Sequence, residues 1–365
     1  MTKPSQKKTK IFVAMSGGVD SSVTAALLLE QGFEVHGVTM CFELPDALDA
    51  KRPRCCGLES IEDARKVCRK LAIEHHVLNY GDALEENIIK DFVAEYARGR
   101  TPNPCVRCNR YLKFERLYND IRALSGTHLA TGHYARIAST EEGWVLKKGA
   151  DPKKDQSYFL YGIPSEVLPF VLFPVGGLVK NEVRALARKM ALPVAEKRES
   201  QDLCFVSKGH VAEFLASRVK GHDKPGNIIG PEGKIVGRHQ GIASCTIGQR
   251  EGLGIALGYP AYVHRIDPVH NTVHAGPKEL LFSDGLLASD LNLVSLKFSK
   301  ESIEAGIKIR YNHSDIKGVV DFLGKNRIRV LFKEPQPAVA PGQSVVFYRG
   351  DVLLGGAVID EAIQK

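Results

Sequence analysis

The feature that most limits how this chain can fold is a glycine-rich turn near its beginning, Ser16-Gly17-Gly18-Val19-Asp20-Ser21. An apolar run at 11–15 precedes the turn, and a helix-like run at 22–31 follows it. Glycines have no side chain to keep a phosphate away from the backbone. The free N–H groups at a helix start and the helix dipole favour a bound anion. The segment therefore predicts a strand, a phosphate-binding turn and a helix, as in nucleotide-dependent enzymes.

The first part of the chain alternates between strand-like and helix-like runs. Strands are predicted at 11–15, 35–40, 76–79 and 128–131, and helices at 22–31, 60–71, 83–98 and 114–124. Ser60 and Asp63 are expected to cap the second of these helices. This alternation predicts an α/β fold with a doubly wound parallel sheet, in which ligands bind at the carboxyl ends of the strands. The glycine-rich turn, Met40 and Gly132 would all lie at that edge.

The remainder of the chain has the short strands and turns of β domains. Strands are predicted at 263–266, 272–275, 343–348 and 352–359, and a hairpin at 317–323 and 327–332 around Gly324-Lys325-Asn326. Strands of this length and spacing are typical of a small barrel. We therefore expect a nucleotide-binding catalytic domain at 1–206, a small central mixed or β domain at 207–288 and a C-terminal β-barrel at 289–365.

The 365-residue chain is basic, with 50 Lys and Arg against 42 Asp and Glu, and a sequence pI of about 9.0. This charge favours a polyanionic partner such as nucleic acid, but a net charge of +8 is also ordinary for a chain of this length. No apolar run is long enough to span a membrane. Residues 1–10 are polar and lysine-rich, which does not match a secretory signal. We expect a cytoplasmic enzyme without a membrane partner.

The eight cysteines are not spaced as an extracellular disulfide framework, which indicates a reducing compartment. Cys105 and Cys108 form a C-x-x-C pair after Thr101-Pro102-Asn103-Pro104, and the prolines predict a stiff extended loop rather than a helix. The pair fits a redox site, half of a zinc site, iron–sulfur ligation or a catalytic thiol with a neighbour. Cys204 fits a structural role less well than three cysteines expected to be buried: Cys41, Cys68 and Cys245. Cys55 and Cys56 have no assigned role beyond a structural pair.

Six segments in order along most of the chain closely resemble the tRNA-specific 2-thiouridylase family. The first segment alone indicates only the PP-loop ATP pyrophosphatase superfamily, whereas the set is specific for the family. The segments are Ser16-Gly17-Gly18-Val19-Asp20-Ser21-Ser22; Thr101-Pro102-Asn103-Pro104 with Cys108-Asn109 and Lys113-Phe114; Ala130-Thr131-Gly132-His133-Tyr134; Lys154-Asp155-Gln156-Ser157-Tyr158; Ser200-Gln201-Asp202-Leu203-Cys204-Phe205; and Thr246-Ile247-Gly248-Gln249-Arg250.

The resemblance implies an enzyme that puts sulfur at the 2-position of the wobble uridine in tRNAs for Lys, Glu and Gln. ATP, with Mg²⁺, would adenylate the uridine 2-oxygen and release pyrophosphate, which turns a poor leaving group into AMP. A persulfide from a relay protein would supply the sulfur. The implied partners are therefore this donor protein and the tRNA anticodon stem-loop.

The resemblance also implies roles for individual residues. Cys204 would carry the persulfide, and Cys108 would attack it to release the sulfur, leaving a disulfide for a reductant. Asp20 would also hold Mg²⁺. The implied ATP-binding residues are Ala14, Met15, Ser16, Gly17, Gly18, Val19, Asp20, Ser21, Ser22, Met40 and Gly132. The implied tRNA-binding residues are Asn103, Pro104, Cys105, His133, Lys154, Asp155, Gln156, Arg310, Tyr311 and Gln343.

Two of these assignments have plain structural alternatives when the residues are read alone. An arginine beside an aromatic residue, as in Arg310-Tyr311, suits phosphate pairing and base stacking. The same pair also fits a strand with one solvated face. His133 also fits a histidine at a strand end with its hydrogen bonds satisfied.

Cys105 departs from the family pattern, in which an aspartate stands at this position. Three thiols, those of Cys105, Cys108 and Cys204, are enough to hold a 4Fe–4S cluster with one iron open to bind sulfide. The sequence therefore leaves two routes open, a persulfide route and a cluster-dependent route.

Two other functions compete with tRNA thiolation. One is a PP-loop ATP pyrophosphatase that amidates a small molecule, although the cysteine pair would have no use there. The other is a non-catalytic tRNA-binding or iron–sulfur scaffold protein that kept the fold, which the intact turn argues against. Kinases and GTPases of the Walker type are excluded because no G-x-x-x-x-G-K-[ST] segment is present.

Overall fold

The computed structural model describes residues 9–42, 58–199, 203–206, 210–218, 224–297 and 301–364. The chain divides into two compact units. Unit 1 comprises Met1–Glu85, Val106–Ser207 and Asp351–Leu353, and unit 2 comprises Glu86–Cys105, Lys208–Gly350 and Leu354–Lys365. Five residues discussed above lie outside the described residues: Cys55, Cys56, Ser200, Gln201 and Asp202.

Unit 1 is built on the predicted parallel sheet, with the strand order β3-β2-β1-β4-β7. All neighbouring strands in it are parallel. Their bounds are β1 Lys10–Ala14, β2 Glu34–Cys41, β3 His75–Asn79, β4 His128–Ala130 and β7 Val171–Leu172. Ile11, Phe12 and Val13 of the central strand have no exposed surface, as expected for a parallel strand covered on both faces. A hairpin of β5 Ala135–Thr140 and β6 Gly143–Lys148 was not predicted.

Helices pack on the sheet through apolar stripes. Helix α2 buries Ile61, Ala64, Val67 and Cys68, the spacing of one helix face. Ala64, Val67 and Cys68 join the core formed by β1 and α1. The helices and helical turns of unit 1 are α1 Val19–Glu30, α2 Leu58–Lys70, α3 Gly81–Leu84, a π-helical segment Cys108–Leu117, α6 Tyr118–Ala123, 3₁₀ turns Ser157–Phe159 and Ser165–Phe170, and α7 Lys180–Lys189.

Two local predictions were wrong. Ser60 and Asp63 do not begin a helix, because both lie inside α2. The C-x-x-C pair is not in an extended loop: Cys105 lies in helix α5, Pro104–Arg107, and Cys108 begins the π-helical segment that continues it. Pro104 starts α5, and a proline costs little at the first helical position because its missing N–H would have no helical partner there.

Unit 2 contains two β structures. A four-stranded sheet has the order β10-β11-β8-β9, and six antiparallel strands in the order β12-β15-β14-β13-β16-β17 close into a barrel through β12–β17 pairing. The predicted hairpin is confirmed as β14–β15. The bounds are β8 Gly226–Ile229, β9 Ile235–His239, β10 Tyr262–Asp267, β11 Thr272–Gly276, β12 Phe282–Leu293, β13 Ile303–Lys308, β14 Ile316–Phe322, β15 Arg327–Pro337, β16 Ser344–Arg349 and β17 Val352–Ile363.

The remaining described helical segments are short. They are a π-helical turn Glu85–Ile89, α4 Lys90–Ala97, α5 as given above, α8 Val211–Ala216, and 3₁₀ turns Ile242–Ser244 and Lys278–Leu281. Among the helices that the structure describes, none combines the length and the apolar composition needed to cross a membrane.

Candidate active site

The glycine-rich turn joins β1 to α1 in the predicted arrangement. Gly17 has a φ of +68°, and a Cβ there would lie 2.3 Å from the backbone oxygen of Ser60, so only glycine fits. Gly18 is the N-cap of α1. The first N–H groups of a helix have no carbonyl partner within it. The turn therefore has the geometry of an anion site.

Hydroxyl groups inside the turn fix its shape. Ser21 Oγ and Ser22 Oγ donate to the Gly18 carbonyl at 3.1 and 2.8 Å. Ser21 Oγ also accepts from the Ser16 N–H at 3.3 Å. Ser21 and Ser22 are buried, whereas Ser16 is exposed. These bonds hold the turn in one conformation before any ligand binds.

Gly132 brings the end of β4 against the same turn. A Cβ on Gly132 would lie 2.7 Å from the backbone nitrogen of Ser21 and 2.8 Å from the carbonyl carbon of Asp20. On the other side of β1, Thr39 Oγ1 donates to the Met15 carbonyl at 2.9 Å. Met40 follows at the end of β2 and is half-buried. Gly132 and Met40, both predicted to line the ATP site, thus lie at the carboxyl edge of the sheet.

Asp20 is the centre of a charged network that the sequence did not predict. Lys180 Nζ donates to both Asp20 carboxylate oxygens, at 2.7 and 2.9 Å, and Tyr134 Oη donates to Oδ1 at 2.8 Å. Lys180 also lies 2.9 Å from Glu199 Oε1, and Lys154 Nζ lies 2.6 Å from Glu199 Oε2. One buried ammonium group, 9% exposed, therefore bridges two carboxylates beside the turn.

The electrostatics of this network fix its proton positions. Burial opposes ionisation of Glu199, but hydrogen bonds from Lys154 and Lys180 outweigh it and lower its pKa to about 2. Burial and the nearby Asp20 charge raise the pKa of Tyr134, so it remains a phenol and a donor. A carboxylate such as Asp20, at the edge where phosphates would bind, fits the way Mg²⁺ is held by one or two carboxylates plus phosphate oxygens.

His133 lies in the same unit, on the loop after β4. Lys113 Nζ approaches its Nε2 at 3.4 Å, and Thr131 Oγ1 lies 2.6 Å from its Nδ1. Since Lys113 can only donate, Nε2 is the acceptor and Nδ1 carries the proton. Burial and the charge of Lys113 lower the pKa of His133 well below its usual value. The ring is therefore neutral.

The Lys154-Asp155-Gln156 segment turns two of its three side chains inward. Asp155 is 6% exposed and accepts from the Gly149 and Ser157 N–H groups at 2.9 and 3.1 Å. Gln156 Oε1 accepts from the Tyr134 N–H at 3.0 Å. Asp155 and Gln156 thus hold the loop in place. Their predicted contact with tRNA stays a prediction.

Unit 2 holds the other residues assigned to tRNA. Gln343 Nε2 donates to the carbonyls of Thr101 and Pro102, at 2.9 and 3.4 Å, directly before Asn103 and Pro104. Asn103 is half-buried, Pro104 is buried and Cys105 is half-buried. The barrel loop therefore fixes the segment in which the predicted base contacts lie.

Arg310 and Tyr311 follow β13 of the barrel. Arg310 Nη2 donates to the Ala338 carbonyl at 2.8 Å and the Ile247 carbonyl at 3.3 Å, which links the barrel to the Thr246–Arg250 motif within this unit. Lys308 Nζ lies 5.7 Å from the centre of the Tyr311 ring. Lys308, Arg310 and Tyr311 thus form a half-buried basic and aromatic group at the end of β13.

The described cysteines separate into two groups. Cys41, Cys68 and Cys245 are buried as predicted, and burial raises the pKa of Cys68 to about 11 and also raises that of Cys245. Cys108 is buried as well, at 8% exposure, whereas Cys105 is half-buried and Cys204 is exposed. Cys204 is therefore the most accessible of the described thiols.

Comparison with known proteins places the whole chain among one set of relatives. Family models described as a tRNA methyl transferase HUP domain, a tRNA methyl transferase PRC-barrel domain and an aminomethyltransferase beta-barrel domain match residues 9–208, 212–277 and 283–359. A protein of Carboxydothermus hydrogenoformans is 47% identical over 98% of this chain and 99% of its own, and one of Geobacter metallireducens is 47% identical over 100% of both. A third, from Pelotomaculum thermopropionicum, is 46% identical over 97% and 98%. All three bear the name tRNA-specific 2-thiouridylase MnmA.

Proposed function

Because this chain belongs to the tRNA-specific 2-thiouridylase family, we propose that it uses ATP to replace the 2-oxygen of the tRNA wobble uridine with sulfur, in the tRNAs for Lys, Glu and Gln. The observation that carries this proposal is the phosphate-binding turn at Gly17 and Gly18, in the same unit as the exposed thiol of Cys204. Such an enzyme acts in the cytoplasm, where its tRNA is made.

Activation of the uridine is the first step. The uridine 2-oxygen attacks the α-phosphorus of ATP, the bond to the β-phosphate oxygen breaks, and pyrophosphate leaves. The N–H groups at the start of α1 hold the pyrophosphate because they point at its oxygens and the helix dipole favours its charge. Ala14, Met15 and Val19 flank the turn, and Met40 and Gly132 border the space at the carboxyl edge that the adenosine would occupy.

Asp20 and Lys180 have different electrostatic roles in this step. Asp20 would hold Mg²⁺, and the ion would supply positive charge that stabilises the departing pyrophosphate. Lys180 lies between Asp20 and Glu199 and keeps both carboxylates oriented. If Asp20 held a metal ion, Lys180 would still have Glu199 as its partner at 2.9 Å, so its buried charge would keep a counter-ion.

Sulfur transfer is the second step. The persulfide on Cys204 has the form Cys–S–SH, and its outer sulfur comes from a relay protein. The Cys108 thiolate attacks the inner sulfur, hydrosulfide is released, and a Cys108–Cys204 disulfide forms. The hydrosulfide attacks C2 of the adenylated uridine and AMP leaves with the former 2-oxygen. An external dithiol supplies the two electrons that reduce the disulfide.

A cluster-dependent route is the second candidate, and the thiol at Cys105 is the observation that favours it. Three thiolates, from Cys105, Cys108 and Cys204, suit a 4Fe–4S cluster with one open iron. In that case no Cys108–Cys204 disulfide forms during turnover, and the sulfur source is inorganic sulfide.

Each unit contains residues suited to bind tRNA. Arg310 and Tyr311 offer a guanidinium for phosphate and a ring for stacking. Gln343 holds the segment that carries Asn103, Pro104 and Cys105 for the target base. In unit 1, neutral His133 offers a hydrogen bond to the RNA, and Lys154 offers a charge to the anticodon stem-loop.

The experiment is mass spectrometry of tRNA thiolated by wild-type protein and by variants Cys105→Asp, Cys108→Ser and Cys204→Ser. Under the persulfide route Cys105→Asp keeps activity while both serine variants lose it. Under the cluster route all three lose it, and anaerobically purified wild type contains about four iron atoms per chain. Cys245→Ser, at a buried thiol, is the matched control.

A second readout separates thiolation from the two competing functions. Pyrophosphate release that rises when tRNA is added supports this proposal. Release that is independent of tRNA but dependent on a small-molecule amide acceptor supports an amidating enzyme. Normal 2-thiouridine in tRNA from a deletion strain supports a non-catalytic tRNA-binding protein.

A further inference from the structure

Two histidines and two glutamates meet at the edge of the unit 1 sheet that is opposite the glycine-rich turn. His36 lies near the amino end of β2, and His76 near the amino end of β3. In the strand register Phe12 is opposite His36 and Val38 is opposite His76. Because side chains two residues apart share a face, His36 and His76 lie on the same face, and their ring centres are 5.7 Å apart.

The hydrogen bonds of His36 fix which of its nitrogens is available. Its Nε2 lies 3.1 Å from Glu34 Oε1, so Nε2 carries the proton and donates it to that carboxylate. Nδ1 then has a lone pair, and it lies 3.2 Å from Glu74 Oε2. His36 is 7% exposed, and Nδ1 has no hydrogen-bond partner among the described residues. A lone pair facing a carboxylate oxygen at this distance is repulsive unless a cation lies between them.

His76 presents a second nitrogen to the same point. Its Nε2 is buried without a hydrogen-bond partner in the described structure and lies 3.7 Å from Glu74 Oε2. A single proton on His36 would satisfy one of these contacts but leave His76 Nε2 unpaired. One metal ion would satisfy the His36, His76 and Glu74 atoms together, and all three lie within 4.8 Å of one another.

We propose that His36 Nδ1, His76 Nε2 and Glu74 Oε2 form a binding site for a Zn²⁺-like divalent cation. A tetrahedral ion with bonds of about 2.0–2.1 Å holds its ligand atoms roughly 3.3 Å apart, close to the 3.2 and 3.7 Å separations here. Two imidazoles with a carboxylate suit zinc, whereas Mg²⁺ takes oxygen ligands. The Glu34 carboxylate accepts a hydrogen bond from His36 and would orient this histidine as a metal ligand.

The bound ion would connect β2, through His36, to β3, through His76, and to Glu74, which directly precedes β3. Its expected role is therefore structural. Glu74 is 72% exposed, so the ion has a path from solvent. The fourth position is open to water. Because the cluster lies at the amino ends of the strands and the turn follows the carboxyl end of β1, the cation is separate from any Mg²⁺ bound with ATP.

The test is metal analysis and thermal unfolding of chelator-treated protein with added Zn²⁺, and with added Mg²⁺ as the comparison. Variants His76→Gln and Glu74→Gln remove ligands at half-buried and exposed positions. His270→Gln is the matched control because its exposed imidazole also contacts a carboxylate, Asp267, at 3.0 Å. We expect the two ligand variants to bind one Zn²⁺ fewer per chain than wild type and His270→Gln.

Thermal unfolding gives the second readout. Zn²⁺ at about 100 times its dissociation constant raises the wild-type midpoint by roughly 3–6 °C, and this rise is lost in His76→Gln and Glu74→Gln. Co²⁺ absorption distinguishes the site from thiols, because nitrogen and oxygen ligands give no intense sulfur-to-metal band. Equal zinc content and equal midpoint shifts in all four proteins would overturn the proposal. So would the absence of any zinc effect in wild type.

Discussion

Lys180 Nζ lies 2.7 and 2.9 Å from the two carboxylate oxygens of Asp20, a residue 160 positions earlier in the chain. Lys180 is at the first residue of α7, and Asp20 is in the first turn of α1. The pair therefore ties the helix that follows the phosphate-binding turn to a second helix of the same unit. It also places a fixed positive charge beside the site where the triphosphate would bind.

Lys180→Ala should lower ATP-dependent pyrophosphate release at least tenfold. It leaves Asp20 and Glu199 without their shared counter-ion, and like charges then repel each other beside the turn. Loss of one partner from a partly buried pair should also reduce the free energy of unfolding by about 1–3 kcal/mol. Pyrophosphate release and urea unfolding measure the two effects.

Lys197→Ala is the matched control for this prediction. Lys197 Nζ forms an ion pair with Asp63 of α2 at 2.7 Å in the same unit, and this pair includes neither Asp20 nor Glu199. It should lose stability but keep its pyrophosphate release. Equal loss of release in both variants would show that Lys180 acts through stability alone.

Gly132→Ala should disturb the turn directly. The added methyl group would lie 2.7 Å from Ser21 N and 2.8 Å from the Asp20 carbonyl carbon, so the backbone must move. We expect the KM for ATP to rise about tenfold or more, since a shift of the phosphate-binding N–H groups weakens each contact. Gly177→Ala is the control because no atom lies within 4 Å of its Cβ. A KM unchanged in Gly132→Ala would place ATP elsewhere.

The parts of the fold that could be predicted are those whose signals are local. The continuous apolar run of β1 and the apolar face of α2 can each be recognised in the sequence from a few neighbouring residues. Gly17 and Gly18 stand out for the same reason. The pairing of Asp20 with Lys180 could not be predicted, because nothing in either segment specifies a contact across 160 positions.

The helix through Cys105 and Cys108 shows a local rule overridden by packing. Prolines at 102 and 104 favour an extended segment, yet the chain becomes helical at Pro104. Leu112, Phe114 and Leu117 are fully buried on the continuing helix, and the Asn109 amide donates to the Phe159 carbonyl at 2.9 Å. These contacts come from distant parts of the sequence and outweigh the local preference.

Gln343→Ala should weaken tRNA binding without changing ATP binding. The change removes both hydrogen bonds to the carbonyls of Thr101 and Pro102, so the Asn103 segment loses its anchor. We expect the KM for tRNA to rise about 5- to 20-fold, equivalent to about 1–2 kcal/mol. Gln336→Ala is the control, since its half-buried amide donates to the carbonyl of Glu334, two residues away, at 2.9 Å. An equal effect of both variants on tRNA would contradict the prediction.

Alkylation at pH 7.5 should modify Cys204 before the other cysteines of the described structure. Cys204 is exposed, whereas Cys68 is 1% exposed and burial raises its pKa to about 11. At that pKa less than about one thiol in a thousand is ionised at pH 7.5, and the thiolate is the reactive form. Peptide mapping after short exposure to iodoacetamide measures the order. Faster labelling of Cys68 or Cys245 than of Cys204 would contradict it.

Glu199 should make stability depend on pH in the acid range. Its pKa is lowered from 4.5 to about 2 in the folded chain, against the effect of burial, by Lys154 and Lys180. Since the folded pKa is the lower one, its stabilising contribution is complete above about pH 4.5 and is lost as the pH falls from there towards 2. Glu199→Gln should therefore differ most from wild type near pH 7 and converge with it near pH 2, as read from urea midpoints.

Glu196→Gln is the matched control for this pH dependence. Glu196 pairs with Arg188 at 2.7 Å, but the side chains are 74% and 59% exposed, and exposed pairs contribute little. Its urea midpoints should follow those of wild type closely across the range. A difference in urea midpoint between Glu199→Gln and wild type that stays constant from pH 7 to pH 3 would contradict the prediction. A constant difference reflects lost packing. Titration of the carboxylate instead makes the difference shrink as the pH falls.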